Sequence, residues 1–313
     1  MEEQIKTVPL KPVCLGRFVL EVPTQAVVTY RRANVAGWAI ATTVETNEEF
    51  EARIRQKEEL LASKRNQRDG VSLELAHKVK TDHLIGKIFL YGRTWIGLMR
   101  GGKEVMTESV SIDALVRAGG VSYDFTAELR EPEEIQRLEK LLQQLQPVHE
   151  GEVPTSAGFC FDRGILRDPI TINDHEHVSL FWGTLEQPDL AASLSSFAGA
   201  NAGRTLLQRH ASNDILQEYA SHFHDLRIGS RVINGLPGEE ILQRVDELNG
   251  VKLQDFRWES ITDEGDVFLP KLTLELTTGF GKPGKPVNSS LSDAEALALW
   301  DQISSSLRRR PVR

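Results

Sequence analysis

Asp174, His175, Glu176 and His177 stand in a row. Two imidazoles two residues apart fall on one face of an extended chain, which is a workable geometry for a metal ion. A catalytic zinc needs a third ligand and further groups that orient the ligands. His149, His210, His222 and His224 have no telling spacing to the run. The four residues therefore read as the polar entrance of a strand, and no metal is expected.

GFGKPGKP, residues 279–286, matches two phosphate motifs on paper. As G-x-x-x-x-G-K it lacks the Ser or Thr that holds magnesium, because Pro286 stands there. As G-x-G-x-x-G it lacks a helix starting directly after it, since the next helix begins near Ser292. Both motifs aim helix N-terminal amides at a phosphate, and proline has no N–H to give. The run reads as a stiff exposed loop, with no nucleotide or other cofactor. His222 and His224 point to different sides of a helix and suit its dipole better than a reaction. No G-x-S-x-G elbow is present, and neither Cys14 nor Cys160 has a His beside it. Glu239 and Glu240 form a carboxylate pair, but adjacent residues rarely converge on one substrate. No catalytic residue is assigned, and the chain is expected not to be an enzyme.

The elements that carry these residues follow one plan twice. CLGRFVLEVP at 14–23 and CFDRGILRDP at 160–169 share the pattern Cys-x-x-Arg-x-x-Leu-x-x-Pro. Apolar strands, a Thr-x-Glu step and a further run follow each copy, and each half closes with a helix before Pro147 or Pro311. Such repetition argues for two related domains in tandem, residues 1–147 and 155–313. The decapeptides are expected to be the first strands of two similar sheets. The fold class is α+β, each domain a mostly antiparallel sheet with amphipathic helices packed on it, because strands follow strands without βαβ alternation.

Several elements can be placed. The turn after the early strands is read at Ala33-Asn34. Thr46 with Glu49, and Ser292 with Glu295, are capping boxes that start helices. Gly92-Arg93-Thr94 reads as a turn between two strands, and Gly101-Gly102 as another. Residues 190–197 read as a short helix and 206–226 as one or two helical pieces. Residues 239–248 have helical spacing, but their place between two strands favours sheet. The basic run at 308–310 reads as a cap on the last helix.

At 313 residues the chain has room for two domains, and 40% hydrophobic residues supply a core for each. A net charge of −8 argues against nucleic acid, which needs a concentrated basic face. No run approaches the roughly 20 apolar residues of a membrane span, and no signal peptide is visible at the N-terminus. The two cysteines are expected as free thiols in separate cores; one bridge between the halves, in an oxidising compartment, is the alternative.

CLGRFVLEVP, GFCFDRGILRDP, LRIGSRVINGLPGEE and SLSDAEALALWDQISSSLRRRP together resemble the type VI secretion lipase-immunity family. The resemblance spans nearly the whole chain and both halves, in the family's order. It implies a two-domain immunity protein that binds and neutralises a cognate secreted phospholipase effector of α/β-hydrolase type. It implies action in the periplasm, although with no export signal visible the cytoplasm is the alternative. An enzyme or small-ligand-binding protein with a pocket between the halves is the competing function.

Protein interfaces concentrate their energy in a few aromatic and Arg anchors, and loops can present them. Tyr91, Arg93 and Trp95 surround one expected turn. Phe280, Lys282 and Lys285 sit on the proline-stiffened loop. These six are the candidate partner-binding residues. The competing placement has Trp95 and Phe280 folded back onto their own cores.

Overall fold

The computed structural model describes residues 8–81, 83–170, 175–199, 203–262, 268–279, 281, 285 and 287–312. In chain order the first half carries β1 (Leu10–Leu15), β2 (Phe18–Pro23), β3 (Val27–Tyr30), β4 (Ala33–Val35), β5 (Trp38–Val44) and helix α1 (Asn47–Ser63). Then come β6 (Leu73–Lys80), β7 (Ile85–Arg100), β8 (Lys103–Ala118), β9 (Val121–Arg130), α2 (Ile135–Gln144) and β10 (Leu145–Pro147). The second half carries β11 (Gly158–Phe161), β12 (Gly164–Arg167), β13 (Glu176–Gly183), β14 (Ala191–Ala198), α3 (Leu206–Ala211) and α4 (Asp214–Glu218). It ends with β15 (Phe223–Ser230), β16 (Gly238–Asp246), β17 (Lys252–Ser260), β18 (Lys271–Thr277), α5 (Asp293–Ser304) and β19 (Arg308–Arg309).

Two compact units result. The larger takes the chain up to Arg31, residues 150–161, and everything from Pro169 on; the smaller takes residues 32–149 and 162–168. The chain does cross between units at 149–150, between the two expected domains, but the units also exchange segments. The first strands of the sequence belong with its C-terminal part.

In the larger unit an antiparallel sheet runs β15-β16-β17-β18-β14-β13-β3. A second, small sheet runs β1-β2-β19, so the last strand of the chain lies on one of its first. Its helices follow from local chemistry. Ser292 Oγ accepts the Glu295 N–H while Glu295 Oε2 accepts the Ser292 N–H, and this closed box starts α5 as the sequence predicts. Trp300 and Ile303 of α5 are buried, with the Trp300 ring edge-on to Phe256 of β17 at 5.9 Å.

In the smaller unit an antiparallel sheet runs β4-β5-β9-β8-β7-β6. The Thr46–Glu49 box starts α1. Phe50 and Leu61 of α1 then pack with Phe89 of β7 and Leu115 of β8, and Tyr91 lies against this cluster. Beside it, Asp113 is buried and is held by Lys57 and by the Tyr91 hydroxyl. Burial raises its carboxyl pKa, against the pull of Lys57.

The structure corrects several sequence readings. The early turn falls at Ala36-Gly37 and not at Ala33-Asn34, with φ of 53° and 80°. That pair of left-handed residues makes the tight turn that suits a two-residue hairpin. Residues 191–198 form strand β14 and not a helix, because the segment pairs with β13 on one side and β18 on the other, with one face buried and the other partly open. The helical stretch from 206 stops before Phe223, where β15 begins. Residues 308–310 do not cap a helix. Arg308 and Arg309 pair with Val19 and Phe18, and Arg310 is buried, donating to the carbonyls of Pro154, Ser156 and Gly158.

The two decapeptides do form alike local structures. In each a strand ends one residue after the Cys, two residues turn, and a second strand starts right after the Arg. They lie in two separate small sheets, β1-β2-β19 and β10-β12-β11, as expected, but these are not the two large sheets. Nor are the cysteines free thiols in separate cores. Cys14 and Cys160 form a disulfide with Cα atoms 6.0 Å apart. Backbone bonds between Gly16 and Cys160, 2.8 Å in each direction, bring β1 and β11 close enough for it.

Candidate partner-binding surface

The groups singled out for chemistry serve the fold. Glu176 is buried and ion-paired with Arg17 at 2.7 Å. His177 is half-buried with its ring edge-on to Phe197 at 5.3 Å, and burial pushes its imidazole pKa down. Asp174 lies outside the described residues. Among the described residues, no three His, Cys, Asp or Glu side chains are grouped to hold a metal ion. Glu239 and Glu240 point to opposite sides of β16, as neighbours on a strand must. Glu239 accepts the Leu207 N–H of α3, while Glu240 takes Arg231 at 2.8 Å and the Trp300 indole N–H at 3.2 Å.

Of the loop at 279–286, Phe280 and Lys282 lie outside the described residues, and Lys285 is exposed. The segment 91–95 is not a turn between two strands. β7 runs through it without a break, with only a bulge between Tyr91 and Thr94. Gly92, which turns left-handed at φ 67°, let the sequence pass for a loop, and here it lets the strand bulge. Below the bulge, β7 is flanked by β6 and β8 is flanked by β9. Above it, from Thr94↔Ser109 to Arg100↔Lys103, the two strands pair only with each other among the described residues. Gly101 and Gly102, with φ of 58° and 77°, close the hairpin. At about 3.3 Å per residue, this two-stranded ribbon extends roughly 20 Å beyond its neighbours.

The three candidate residues on this ribbon have different surroundings. Tyr91 sits below the bulge, half-buried on the core cluster, and its hydroxyl donates to Asp113 Oδ2 at 3.1 Å. Burial and the Asp113 charge push its phenol pKa up. Arg93 sits in the bulge and bridges Glu74 at 2.6 Å and Glu108 at 2.7 Å. Trp95 stands just above it. Its backbone N–H donates to Gln67 Oε1 at 2.9 Å, and the Arg68 guanidinium stacks 3.4 Å from its ring centre. Trp95 is thus half-buried under a neighbouring loop and not in the core.

Residues that the sequence reading missed lie further out. Trp95, Gly97 and Met99 alternate with Ile96 and Leu98 along β7, opposite Glu108, Met106 and Glu104, Thr107 and Val105 of β8. One side of the ribbon therefore carries Trp95, Met106 and Met99, and the other Ile96, Leu98 and Val105. Met99 is 71% exposed and Met106 61%, with Leu98 and Val105 exposed as well. Methionine adapts its shape to a partner, which makes it common on binding surfaces. In the sequence these apolar residues stand in adjacent pairs, Trp95-Ile96, Leu98-Met99 and Val105-Met106, with no alternation to mark a half-open ribbon. What was also not visible is that, among the described residues, no third strand covers them.

Residues 11–155 match the family described as Tle cognate immunity protein 4, N-terminal domain, and residues 152–312 match its C-terminal domain. A comparison with curated protein sequences finds no match. Two solved structures are similar over almost their full length. A chain of the Tle4–Tli4 complex is 23% identical with a TM-score of 0.77, covering 97% of this chain and 98% of that one. The apo structure of TplEi, a type VI secretion immunity protein from Pseudomonas aeruginosa, is 23% identical with a TM-score of 0.76, over 97% and 98%. A further structure of TplEi, in complex with a peptide, has a TM-score of 0.73 at 22% identity. The likeness to these structures carries the fold, and the two domain matches together span residues 11–312: the chain belongs to the Tle cognate immunity protein 4 family.

Proposed function

We propose that this chain is an immunity protein that binds a cognate type VI secreted phospholipase of α/β-hydrolase type and blocks it, protecting the producing cell and its sisters. The observation that carries this reading is the match of both halves to the two domains of one immunity family. The Tle4–Tli4 complex supports the same partner class, since the relative there is joined to its effector. The protein does no chemistry of its own in this reading: inhibition needs a complementary surface only. The two halves, 1–147 and 155–313, act as two related immunity domains in tandem, each a sheet carrying amphipathic helices.

The periplasm is the site of action. The Cys14–Cys160 disulfide supports it, because such bonds persist in oxidising compartments and are rare in reducing ones. No helix among the described residues is long and apolar enough to cross a membrane. We assign the partner contact to the β7–β8 ribbon, with Arg93 and Trp95 at its base and Tyr91 beneath them as its support. Phe280, Lys282 and Lys285 supply a second contact from the 279–286 loop.

Affinity purification from the producing cells, followed by a phospholipase assay, tests the reading. The chain alone should hydrolyse no phospholipid, and it should suppress the activity of the phospholipase that co-purifies. Hydrolysis by the chain alone, or an active phospholipase that ignores it, would sink the proposal.

A further inference from the structure

The larger unit has an apolar groove between helix α4 and the turn that joins β16 to β17. Its volume is about 400 Å³ and its walls are Ile215, Tyr219, Phe223, Val245 and Leu248. Two of these are unusually open for aliphatic side chains: Ile215 is 63% exposed and Leu248 78%. Both are held firmly in place. The Asn213 side chain caps α4 by accepting the Ile215 N–H. Leu248 rides the tight turn between β16 and β17, which the Glu247 N–H to Val251 and Gly250 N–H to Glu247 carbonyl bonds close at 2.8 Å each. Ordering two exposed aliphatic residues in fixed positions has no benefit for the fold, which buries neither.

The lip of the groove is acidic. Asp246 lines it but is neutralised by Arg244 at 3.2 Å and faces His224 at 3.2 Å. Glu247 lines it with only an amide for company, the Asn249 Nδ2 at 2.9 Å. Asp214 and Glu218 flank Ile215 and Tyr219 on α4, both exposed. Among the described residues no cation pairs with Asp214, Glu218 or Glu247. His222 also lines the groove, so its wall carries one uncompensated carboxylate, Glu247, with Asp214 and Glu218 on the adjoining short helix, and this complements one kind of occupant. That is a large apolar side chain with Lys or Arg next to it.

We infer that this groove is a second anchor site, which takes an apolar residue flanked by basic ones on the secreted phospholipase. The inference rests on the function proposed above, and it adds a contact on the larger unit that the ribbon does not supply. The apolar walls give the occupant its desolvated seat, and the carboxylates steer and orient it.

Two measurements test it. In the first, Ile215→Ser/Leu248→Ser is titrated against the co-purified phospholipase. Both side chains are exposed, so thermal stability should stay at the wild-type value while Kd rises at least tenfold. Glu247→Lys should also weaken binding and flatten its dependence on salt, with Glu247→Gln in between. A serine variant within twofold of wild type, or a lysine variant with unchanged salt dependence, overturns the inference. The second measurement needs no lipase. In methyl NMR spectra of the full chain, acetyl-Lys-Phe-Lys-amide should shift the Ile215 and Leu248 methyl signals, and acetyl-Glu-Phe-Glu-amide should not. Equal shifts with both peptides, or none with either, also overturn it. A peptide response together with no phospholipase binding by the wild-type chain places the failure in the proposed function and leaves the groove chemistry standing.

Discussion

Arg17 Nη2 lies 2.7 Å from Glu176 Oε1, and its Nε donates to Oε2 at 3.1 Å, in a pair that is almost wholly buried. Arg17 is the Arg of the first Cys-x-x-Arg-x-x-Leu-x-x-Pro copy, and Glu176 is the acid of the run that looked like a metal motif. The guanidinium also stacks on Phe268, 4.4 Å from the ring centre. Removing one partner strands a buried charge, which typically costs about 3–5 kcal/mol. Arg17→Met or Glu176→Gln should therefore lower the urea midpoint sharply. The double variant Arg17→Met/Glu176→Leu should recover much of the loss. A single variant as stable as wild type would show the pair to be incidental.

The disulfide gives a second expectation. Cys14 and Cys160 are 146 residues apart, and cross-linking so long a loop restricts the unfolded chain strongly. Reduction, or Cys14→Ser/Cys160→Ser, should cost about 2–5 kcal/mol of stability. Thiol titration of the denatured, unreduced protein should find no free cysteine. Finding both would contradict the bond.

The ribbon separates binding from stability. Trp95→Ala should weaken phospholipase binding by roughly 2 kcal/mol or more, with little change in melting temperature. Tyr91→Phe should do the reverse. It removes the hydrogen bond to buried Asp113, worth about 1–3 kcal/mol where the acceptor is charged, and it leaves the exposed surface almost untouched. If Trp95→Ala collapses the melting temperature and leaves inhibition intact, the ribbon is a structural element and the contact lies elsewhere.

Acid should unfold the larger unit partly through Glu259. Burial raises its pKa, but hydrogen bonds from Arg209 at 2.6 Å and Lys271 at 3.0 Å outweigh that, so the folded value lies below the ordinary one. A carboxyl with a depressed folded pKa stabilises above its unfolded pKa and loses that contribution as pH falls through the folded value. Arg209→Ala or Lys271→Met should raise the folded pKa, so acid unfolding should begin at a higher pH. An acid midpoint that does not move in either variant would remove Glu259 from the account.

What could be read from the sequence was what is local. The boxes at Thr46–Glu49 and Ser292–Glu295 each depend on residues three apart, and both helices start there. β16 was legible as sheet only through its neighbours, since Ile241, Leu242 and Val245 have the spacing of a helix face. β14 was misread for the same reason in reverse. One face of it is buried and the other partly open, but Ser stands on both faces, so the sequence shows little alternation, and its Ala and Leu residues look helical. The Cys14–Cys160 bond, and the absence among the described residues of a third strand beside residues 94–109, depend on parts of the chain far away. No periodicity encodes them. The open groove beside Leu248 joins a hairpin turn to a short helix some thirty residues earlier, and neither segment announces the other.

The exchange of segments between the units sets an order in time. A ribosome emits the chain N-terminus first, at about 5–20 residues per second. β2 is out early, but Phe18 finds Arg309 only after about 290 further residues have been added. The smaller unit lacks residues 162–168 until well after its main run, 32–149, has been made. Contacts of such long sequence separation form slowly, because loop closure must precede them. A nascent chain of this design therefore cannot complete its larger unit until the residues around 309 have emerged, so that unit folds around both of its ends at once and not from one end to the other.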